Sequence, residues 1–244
     1  MAYAIQWVRS LLFVISVYVA IAMVGLGLFP WALVSRKGAR AGCMNVCRYV
    51  RWAAPWMIGL KTEIRGTPPD YACIVASKHQ SFLDVFLVFS AVPAGKFIMK
   101  SILKYAPIVG QYGLRIGCVP VDRGKRAAAI KQMVDGVKKG SATPGQLIIY
   151  PQGTRIAPGV KAPYKVGTAV LYEQLGQPCV PVAANVGLFW PKRGIYRKQG
   201  TAVVEFLEPI QPGLPRDEFL TLLETRIETA SNRLNEEAGF HAPH

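Results

Sequence analysis

The chain begins with a long uncharged stretch. No charged residue occurs between Ser10 and Ser35, and about 20 apolar residues are enough to cross the hydrocarbon core of a bilayer. Pro30 lacks a backbone donor and disfavours helix at Phe29, so we expect the helix to end or kink there. A cleavable signal peptide would have a shorter apolar region. The pattern leaves open whether the segment spans the membrane or dips into one leaflet as a hairpin.

A second N-terminal segment mixes apolar, aromatic and basic residues. Three basic residues fall within positions 36–40, and Trp52 and Trp56 follow among apolar residues. Aromatic residues at headgroup depth are typical of a helix lying in the membrane interface. Because basic residues concentrate on the cytoplasmic side of membrane helices, we expect the rest of the chain to be cytoplasmic. The pattern predicts membrane-anchoring helices in residues 1–60 and an α/β domain in residues 61–244.

Beyond residue 60, short β-branched runs alternate with helical ones, with Gly and Pro between them. Several runs are apolar on both faces, as in a sheet covered by helices. We therefore predict an α/β fold with a mixed, largely parallel sheet covered by helices. The predicted strands are Cys73–Ser77, Lys96–Met99, Cys118–Val121, Gln146–Tyr150, Cys179–Ala183 and Thr201–Phe206, and the predicted helices are Ser81–Ser90, Gly124–Lys139, Lys165–Leu175 and Pro215–Ala238.

The composition combines apolar character with positive charge. Apolar residues make up 51% of the chain, and 29 Lys and Arg against 14 Asp and Glu give a net charge of +15. This combination indicates an anionic partner, such as nucleic acid, a membrane surface or an anionic substrate. Nucleic acid is poorly supported, because the basic residues are scattered and no nucleic-acid-binding motif is present. The five cysteines form no C-x-x-C pair, which predicts reduced thiols in a cytosolic compartment and no metal site.

His79 is the only histidine outside the last four residues, and Asp84 follows it by five positions. One interpretation is a capping box, in which Ser81 begins a helix and Asp84 lies in its first turn. The other is a dyad, in which Asp84 accepts the Nδ1 proton of His79 and leaves Nε2 as a general base. The dyad requires His79 to lie in the loop before the helix, since five residues of continuous helix rotate by about 500°.

No G-x-S-x-G nucleophile elbow occurs in the chain. If His79 is a base, we therefore expect it to activate a hydroxyl of the substrate rather than a nucleophile of the protein.

Residues 150–155 read Y-P-Q-G-T-R and follow a predicted strand. Gly153 permits close approach of the backbone to a ligand. Thr154 offers a hydroxyl, and Arg155 offers a planar guanidinium that suits phosphate. The motif fits an anion site, and it also fits a plain turn with an exposed arginine.

Residues 100–123 combine turn glycines, apolar residues and flanking cations, among them Lys100 and Arg123. Such a segment would suit a slot for an acyl chain beside an anionic head. It also fits an ordinary crossover between two strands, and the segment alone does not separate the two interpretations.

Together these motifs resemble the glycerolipid acyltransferase family, in particular its bacterial 1-acylglycerol-3-phosphate acyltransferases. Four family blocks occur in family order between about residues 60 and 210. They are H-x-x-x-x-D at His79–Asp84, a strand ending in D-R at Val119–Arg123, the P-E-G-T-R block at Pro151–Arg155, and V-P-V at Val180–Val182.

The resemblance implies transfer of a fatty acyl group from acyl carrier protein or coenzyme A to the free hydroxyl of 1-acyl-sn-glycerol-3-phosphate, giving phosphatidic acid. It implies that His79 is the general base and that Asp84 orients it, at the cytoplasmic face of a bacterial inner membrane. No covalent acyl-enzyme, metal or bound cofactor is implied beyond the thioester co-substrate. The residues assigned to the acceptor phosphate are Gly153, Thr154 and Arg155, with Arg123 and Lys100 as weaker candidates.

One position departs from the family pattern. Gln152 stands where the family commonly carries Glu, and it forms hydrogen bonds without negative charge. A more positive site would suit an anionic head group, yet the change leaves the acceptor open. The alternatives are another lysolipid, such as a lyso-ornithine lipid, and a non-catalytic lipid-binding protein of the same fold.

Overall fold

A seven-stranded sheet forms the centre of the computed structural model, which describes residues 1–122, 131, 134–135 and 145–241. The strand order is β1-β7-β6-β2-β5-β3-β4, and every neighbouring pair is parallel except β6 and β7. The strands are β1 Leu60–Arg65, β2 Cys73–Ser77, β3 Lys96–Lys100, β4 Val119–Val121, β5 Gln146–Ile149, β6 Cys179–Ala184 and β7 Gly200–Phe206.

Helices cover both faces of this sheet. The described α-helices are α1 Ala2–Gly27, α2 Phe29–Val34, α3 Arg36–Ile58, α4 Leu83–Ala91, α5 Val109–Arg115, α6 Gly167–Leu175 and α7 Arg216–Glu237, with short 3-10 turns at Ser101–Tyr105 and Val186–Leu188. The predicted fold, a mixed and mostly parallel sheet covered by helices and preceded by an apolar N-terminal helix, is confirmed.

The alternation of side chains along β2 divides the core into two layers. Cys73 and Val75 pack in a cluster with residues of α3 and α4, whereas Ile74 and Ala76 pack in a second cluster with residues of α6 and α7. Successive side chains of a strand point to opposite faces, so both layers require apolar residues. This explains why the central strand is buried along its whole length.

The predicted strands and helices occur with their ends displaced by up to two residues. Strand β1 is absent from the sequence prediction because it is an edge strand with a polar, partly exposed pattern, L-K-T-E-I-R. Edge strands commonly carry charged residues, which weaken the apolar signal. The predicted helix Gly124–Lys139 lies outside the described residues except at positions 131, 134 and 135, which are helical.

The apolar N-terminal segment forms two helices. Helix α1 begins at Ala2, earlier than the uncharged stretch, and ends at Gly27. The predicted break near Pro30 is confirmed, although helix α2 already begins at Phe29. Proline is tolerated there because the N–H groups in the first turn of a helix have no intrahelical acceptor, so the missing N–H of Pro30 costs no hydrogen bond.

One face of α1 is fixed to the rest of the molecule. Gln6 Nε2 donates to the carbonyls of Ile58 and Arg197, both at 2.9 Å, and the Arg197 N–H donates to Ser10 Oγ at 2.9 Å. Phe13 is fully buried and meets the ring of Trp190 edge-on. The division of the chain at residue 60 stays a prediction, since the described contacts show helices and sheet sharing one core.

The opposite face of α1 is apolar and exposed. Among the described residues, α1 is the one helix whose length and composition would allow it to cross a membrane. Its exposed apolar residues include Ile5, Val8, Leu12, Ile15, Val19, Met23 and Leu26.

We predict that docking of α1 contributes substantially to stability. Phe13→Ala should lower the free energy of unfolding by about 3–5 kcal/mol, because it removes a fully buried ring. The adjacent Leu12 is 53% exposed, so Leu12→Ala should change stability by less than about 0.5 kcal/mol. Denaturant unfolding in one detergent measures both, and equal losses would contradict the docking of α1.

Candidate active site

The site lies at the point in the sheet where the chain connections change direction. Neighbouring β2 and β5 are parallel, and the chain leaves β2 through α4 towards β3 but leaves β5 through α6 towards β6. These helices belong to opposite core layers. In open α/β sheets, such a reversal creates a crevice at the carboxyl ends of the strands. His79 follows β2 and the Y-P-Q-G-T-R segment follows β5, so both predicted motifs lie at this edge.

The His79–Asp84 contact is present, and the same carboxylate accepts hydrogen bonds at the start of α4, although Phe82 rather than the predicted Ser81 is the N-cap of that helix. The Nδ1 atom of His79 lies 2.8 Å from Asp84 Oδ1. Oδ2 of the same carboxylate accepts the backbone N–H groups of Gln80 and Ser81, both at 2.8 Å. The two interpretations of the sequence are therefore not alternatives, because each uses a different oxygen. The helix begins at Leu83, two residues later than predicted, and the Leu83 N–H donates to Ser81 Oγ at 3.1 Å.

Burial differs between the two partners. The Asp84 side chain is fully buried, whereas 16% of the His79 side chain remains exposed. Three hydrogen-bond donors satisfy the buried carboxylate, which would otherwise be costly to remove from water. Because a carboxylate only accepts, Nδ1 carries the proton, and Nε2 is the nitrogen left for a substrate.

A backbone hydrogen bond joins the two motifs. The N–H of Ile156 donates to the carbonyl of His79 at 2.8 Å, so the turn after β5 lies directly beside the histidine. Within this turn Gly153 has φ +70°, and an added Cβ would come within 2.8 Å of Lys165 Nζ. Glycine is therefore favoured at this position by its backbone conformation and by the close approach of a cation.

A second cation lies beside the same turn. Lys192 Nζ donates to the carbonyl of Arg155 at 3.0 Å and lies 3.5 Å from Thr154 Oγ1. The Arg155 guanidinium in turn donates to the carbonyl of Lys192 at 3.2 Å. In the described part of the chain, none of Arg155, Lys165 and Lys192 forms an ion pair with a carboxylate. Unpaired cations around a glycine turn are suited to bind an anion.

The other predicted substrate-binding residues differ in how far they are buried. Gln152 is 4% exposed, and its Nε2 donates to the carbonyl of Ala162 at 3.3 Å. A glutamate could not make this bond as a donor. Lys100 is exposed at the end of β3, whose parallel register with β5 brings it to the same edge of the sheet. Arg123 lies outside the described residues.

Sequence reasoning missed a partly buried network next to His79. Lys78 Nζ lies 2.6 and 2.7 Å from the two carboxylate oxygens of Glu228, and the Tyr164 hydroxyl donates to Glu228 Oε1 at 2.8 Å. Burial and the neighbouring Glu228 raise the pKa of the Tyr164 phenol. Strand alternation directs Lys78 to the α7 face and His79 to the α4 face. Because Lys78 and His79 are adjacent in the sequence, strand alternation could have indicated that their side chains lie on opposite faces of the sheet.

Sequence reasoning also missed the roles of Tyr150, Lys165 and Lys192. The Tyr150 ring stacks on the His79 imidazole with ring centroids 3.8 Å apart. Tyr150 is the last residue before the Pro-Gln-Gly-Thr-Arg turn, and strand parity after β5 could have placed it on the His79 face. The two lysines carry no local pattern that distinguishes them from surface cations.

The cysteines do not fit a thiol nucleophile. All five are free, as predicted, and Cys73 and Cys179 lie at the first residues of β2 and β6, at the edge opposite His79. Burial raises the pKa of Cys73 to about 12 and that of Cys118 to about 11. These thiols are protonated near neutral pH, and protonated thiols are poor nucleophiles.

Comparison with known proteins places this arrangement in a family. Residues 61–185, just over half of the chain, match the family model described as Acyltransferase. A 1-acyl-sn-glycerol-3-phosphate acyltransferase of Pseudomonas aeruginosa is 28% identical over 215 residues, covering 82% of this chain and 79% of the relative. The enzyme of that name from Saccharomyces cerevisiae is 28% identical, covering 83% of this chain and 70% of the relative.

A solved structure shares the fold. The crystal structure of the 1-acyl-sn-glycerophosphate acyltransferase from Thermotoga maritima matches with a TM-score of 0.78 at 21% identity, covering 96% of this chain and 99% of that one. The family match includes His79, Asp84 and the turn after β5. The chain therefore belongs to the acyltransferase family.

Proposed function

We propose that this protein transfers a fatty acyl group from a thioester to the free hydroxyl of 1-acyl-sn-glycerol-3-phosphate and so produces phosphatidic acid. The observation that carries the proposal is the 2.8 Å contact between His79 Nδ1 and Asp84. It lies beside a turn whose neighbouring cations have no carboxylate partner among the residues that the structure describes. The names of the relatives from Pseudomonas aeruginosa and Saccharomyces cerevisiae support the same acceptor.

In the proposed reaction, His79 is the general base. Nε2 takes the proton of the acceptor hydroxyl while that oxygen attacks the carbonyl carbon of the thioester. The C–S bond then breaks, and the imidazolium returns its proton to the departing thiolate. Asp84 holds the ring through Nδ1 and stabilises the imidazolium, a task for which its fixed, fully buried carboxylate is suited. No nucleophile of the protein is needed, because the acceptor supplies the attacking oxygen.

The acceptor phosphate would bind at the turn after β5. Gly153, Thr154 and Arg155 would provide a close backbone, a hydroxyl and a guanidinium, and the neighbouring Lys165 and Lys192 add positive charge. Gln152 is a buried residue of this turn and adds no negative charge that would repel an anion. Lys100 and Arg123 are weaker candidates for the same phosphate.

The proposed location is the cytoplasmic face of a bacterial inner membrane. The exposed apolar face of α1 would anchor the protein in the lipid that supplies the acceptor. The net charge of +15 favours contact with anionic lipid and with an acidic donor, either acyl carrier protein or coenzyme A. No further cofactor is proposed.

We predict that purified protein given an acyl thioester and 1-acyl-sn-glycerol-3-phosphate forms phosphatidic acid, measured by mass spectrometry. A lyso-ornithine lipid, which carries no phosphate, should give little product under the same conditions, because the cations at the turn would have no phosphate to bind. Product from the ornithine lipid alone would overturn the proposed acceptor. Product from neither, with either donor, would overturn the proposed activity.

We predict that His79→Ala lowers kcat by at least ~100-fold, because removal of a general base typically costs that much. His241→Ala, in the exposed C-terminal segment, is the matched control and should retain the wild-type rate. Both are measured by release of free thiol with acceptor at saturation. Unchanged turnover in His79→Ala would exclude its role as the base.

We predict that Arg155→Ala chiefly raises the KM for the phosphate-bearing acceptor, by ~10- to 150-fold, since a charge-assisted hydrogen bond is worth about 1.5–3 kcal/mol. Arg65→Ala is the control, because Arg65 ends β1 at the opposite edge of the sheet. If Arg155→Ala left the preference for phosphate-bearing over phosphate-free acceptors as in the wild type, Arg155 would not be the phosphate ligand.

A further inference from the structure

The His79 ring is the end of a column of stacked aromatic rings. Its centroid lies 3.8 Å from that of Tyr150, with the ring planes inclined by 18°. Tyr150 stacks in turn on Phe97 at 6.3 Å and 15°, and Phe97 stacks on Phe89 at 5.8 Å and 22°. We call these four residues, His79, Tyr150, Phe97 and Phe89, the aromatic column.

The sheet topology produces this column. The strands β2, β5 and β3 are consecutive neighbours. Tyr150 immediately follows β5, and His79 is the second residue after the parallel strand β2. Phe97 lies on β3, and Phe89 packs from α4, the helix that also carries Asp84. The His79 ring is therefore held by Asp84 through one nitrogen and by Tyr150 across one ring face.

The hydroxyl of Tyr150 lies close to the carboxylate of Asp84. It is buried, and in the described part of the chain it makes no hydrogen bond of normal geometry. Burial and the nearby charge of Asp84 raise the pKa of this phenol well above its ordinary value. The group therefore stays neutral at any pH at which an enzyme of this kind works, and it adds no charge next to His79.

We propose that Tyr150 is a positioning residue whose ring holds the His79 imidazole against Asp84 and stabilises its protonated form. This inference rests on the proposed function, since it assigns a task to Tyr150 in the proton transfer by His79. The face of an aromatic ring carries negative potential and attracts a cation stacked on it. Such stabilisation grows when His79 becomes an imidazolium, so it acts on the proton transfer rather than on substrate binding.

Two titratable groups contact the imidazole in the described structure, namely Asp84 from α4 and Tyr150 from the segment after β5. Removing the aromatic face destabilises the imidazolium, so the titration midpoint of His79 should move to lower pH. Asp84 stays in place in the variants below. Leucine at position 150 keeps an apolar cover over the ring, so the desolvation of His79 changes little.

The test compares Tyr150→Leu, which removes the ring, with Tyr150→Phe, which removes only the hydroxyl. NMR titration of the full-length protein, labelled with ¹³C on histidine, reports His79 directly, with His241→Ala and His244→Ala used to assign the tail signals. Tyr150→Leu should lower the midpoint of His79 by about 0.5–1 pH unit. It should also lower kcat by ~10-fold while KM stays within about twofold. Tyr150→Phe should match the wild type in both.

The outcomes separate this inference from the proposed function. If wild-type protein transfers no acyl group, the proposed function fails, while the NMR titration still tests the ring contact. If wild-type protein is active and Tyr150→Leu matches it in midpoint and kcat, the inference is overturned. Equal changes in Tyr150→Leu and Tyr150→Phe would assign the effect to the hydroxyl and also overturn it. If Tyr150→Leu does not fold, Tyr150→Met fills the same space without a ring and should show the same two changes.

Discussion

The carboxylate of Asp84 is the constraint on which the rest of the site depends. It is fully buried, and its two oxygens serve two structures at once. One oxygen meets Nδ1 of His79, and the other accepts two backbone N–H groups at the start of α4. A buried carboxylate is tolerated only when its hydrogen bonds are satisfied. The turn that begins α4 and the orientation of His79 are therefore fixed by one set of hydrogen bonds.

The sheet extends this local constraint to the whole site. Because β2 and β5 are parallel neighbours with crossovers on opposite faces, their carboxyl ends place the histidine and the glycine turn side by side. The hydrogen bond from the Ile156 N–H to the His79 carbonyl then connects the loop after β2 with the turn after β5. Strand alternation separates the neighbouring residues Lys78 and His79. Lys78 joins a partly buried ion pair with Glu228, and His79 remains accessible to a substrate.

Under the proposed function, the N-terminal helices would connect this site to the membrane. Helix α1 is held by polar contacts of Gln6 and Ser10, and Phe13 packs against Trp190, which follows β6 at the edge where His79 lies. Its other face is apolar and exposed. A helix fixed in this way would give the catalytic residues a defined position relative to a membrane surface. The proposed lipid acceptor could then reach His79 without leaving its apolar environment.

Much of this protein is determined by the sequence alone. The periodicity of apolar residues locates six of the seven described strands and most described helices, and it misses β1 because an edge strand is polar. The sequence also shows that His79 is the one histidine outside the last four residues. The Y-P-Q-G-T-R segment predicts the turn at Gly153. Only the tertiary structure decides that Asp84 serves both His79 and the helix start, and that Tyr150 stacks on the imidazole. It also decides that Lys165 lies beside Gly153 and that Lys192 contacts Arg155. Local patterns report the burial and backbone preference of each segment, whereas these contacts depend on the order and direction in which distant strands pair.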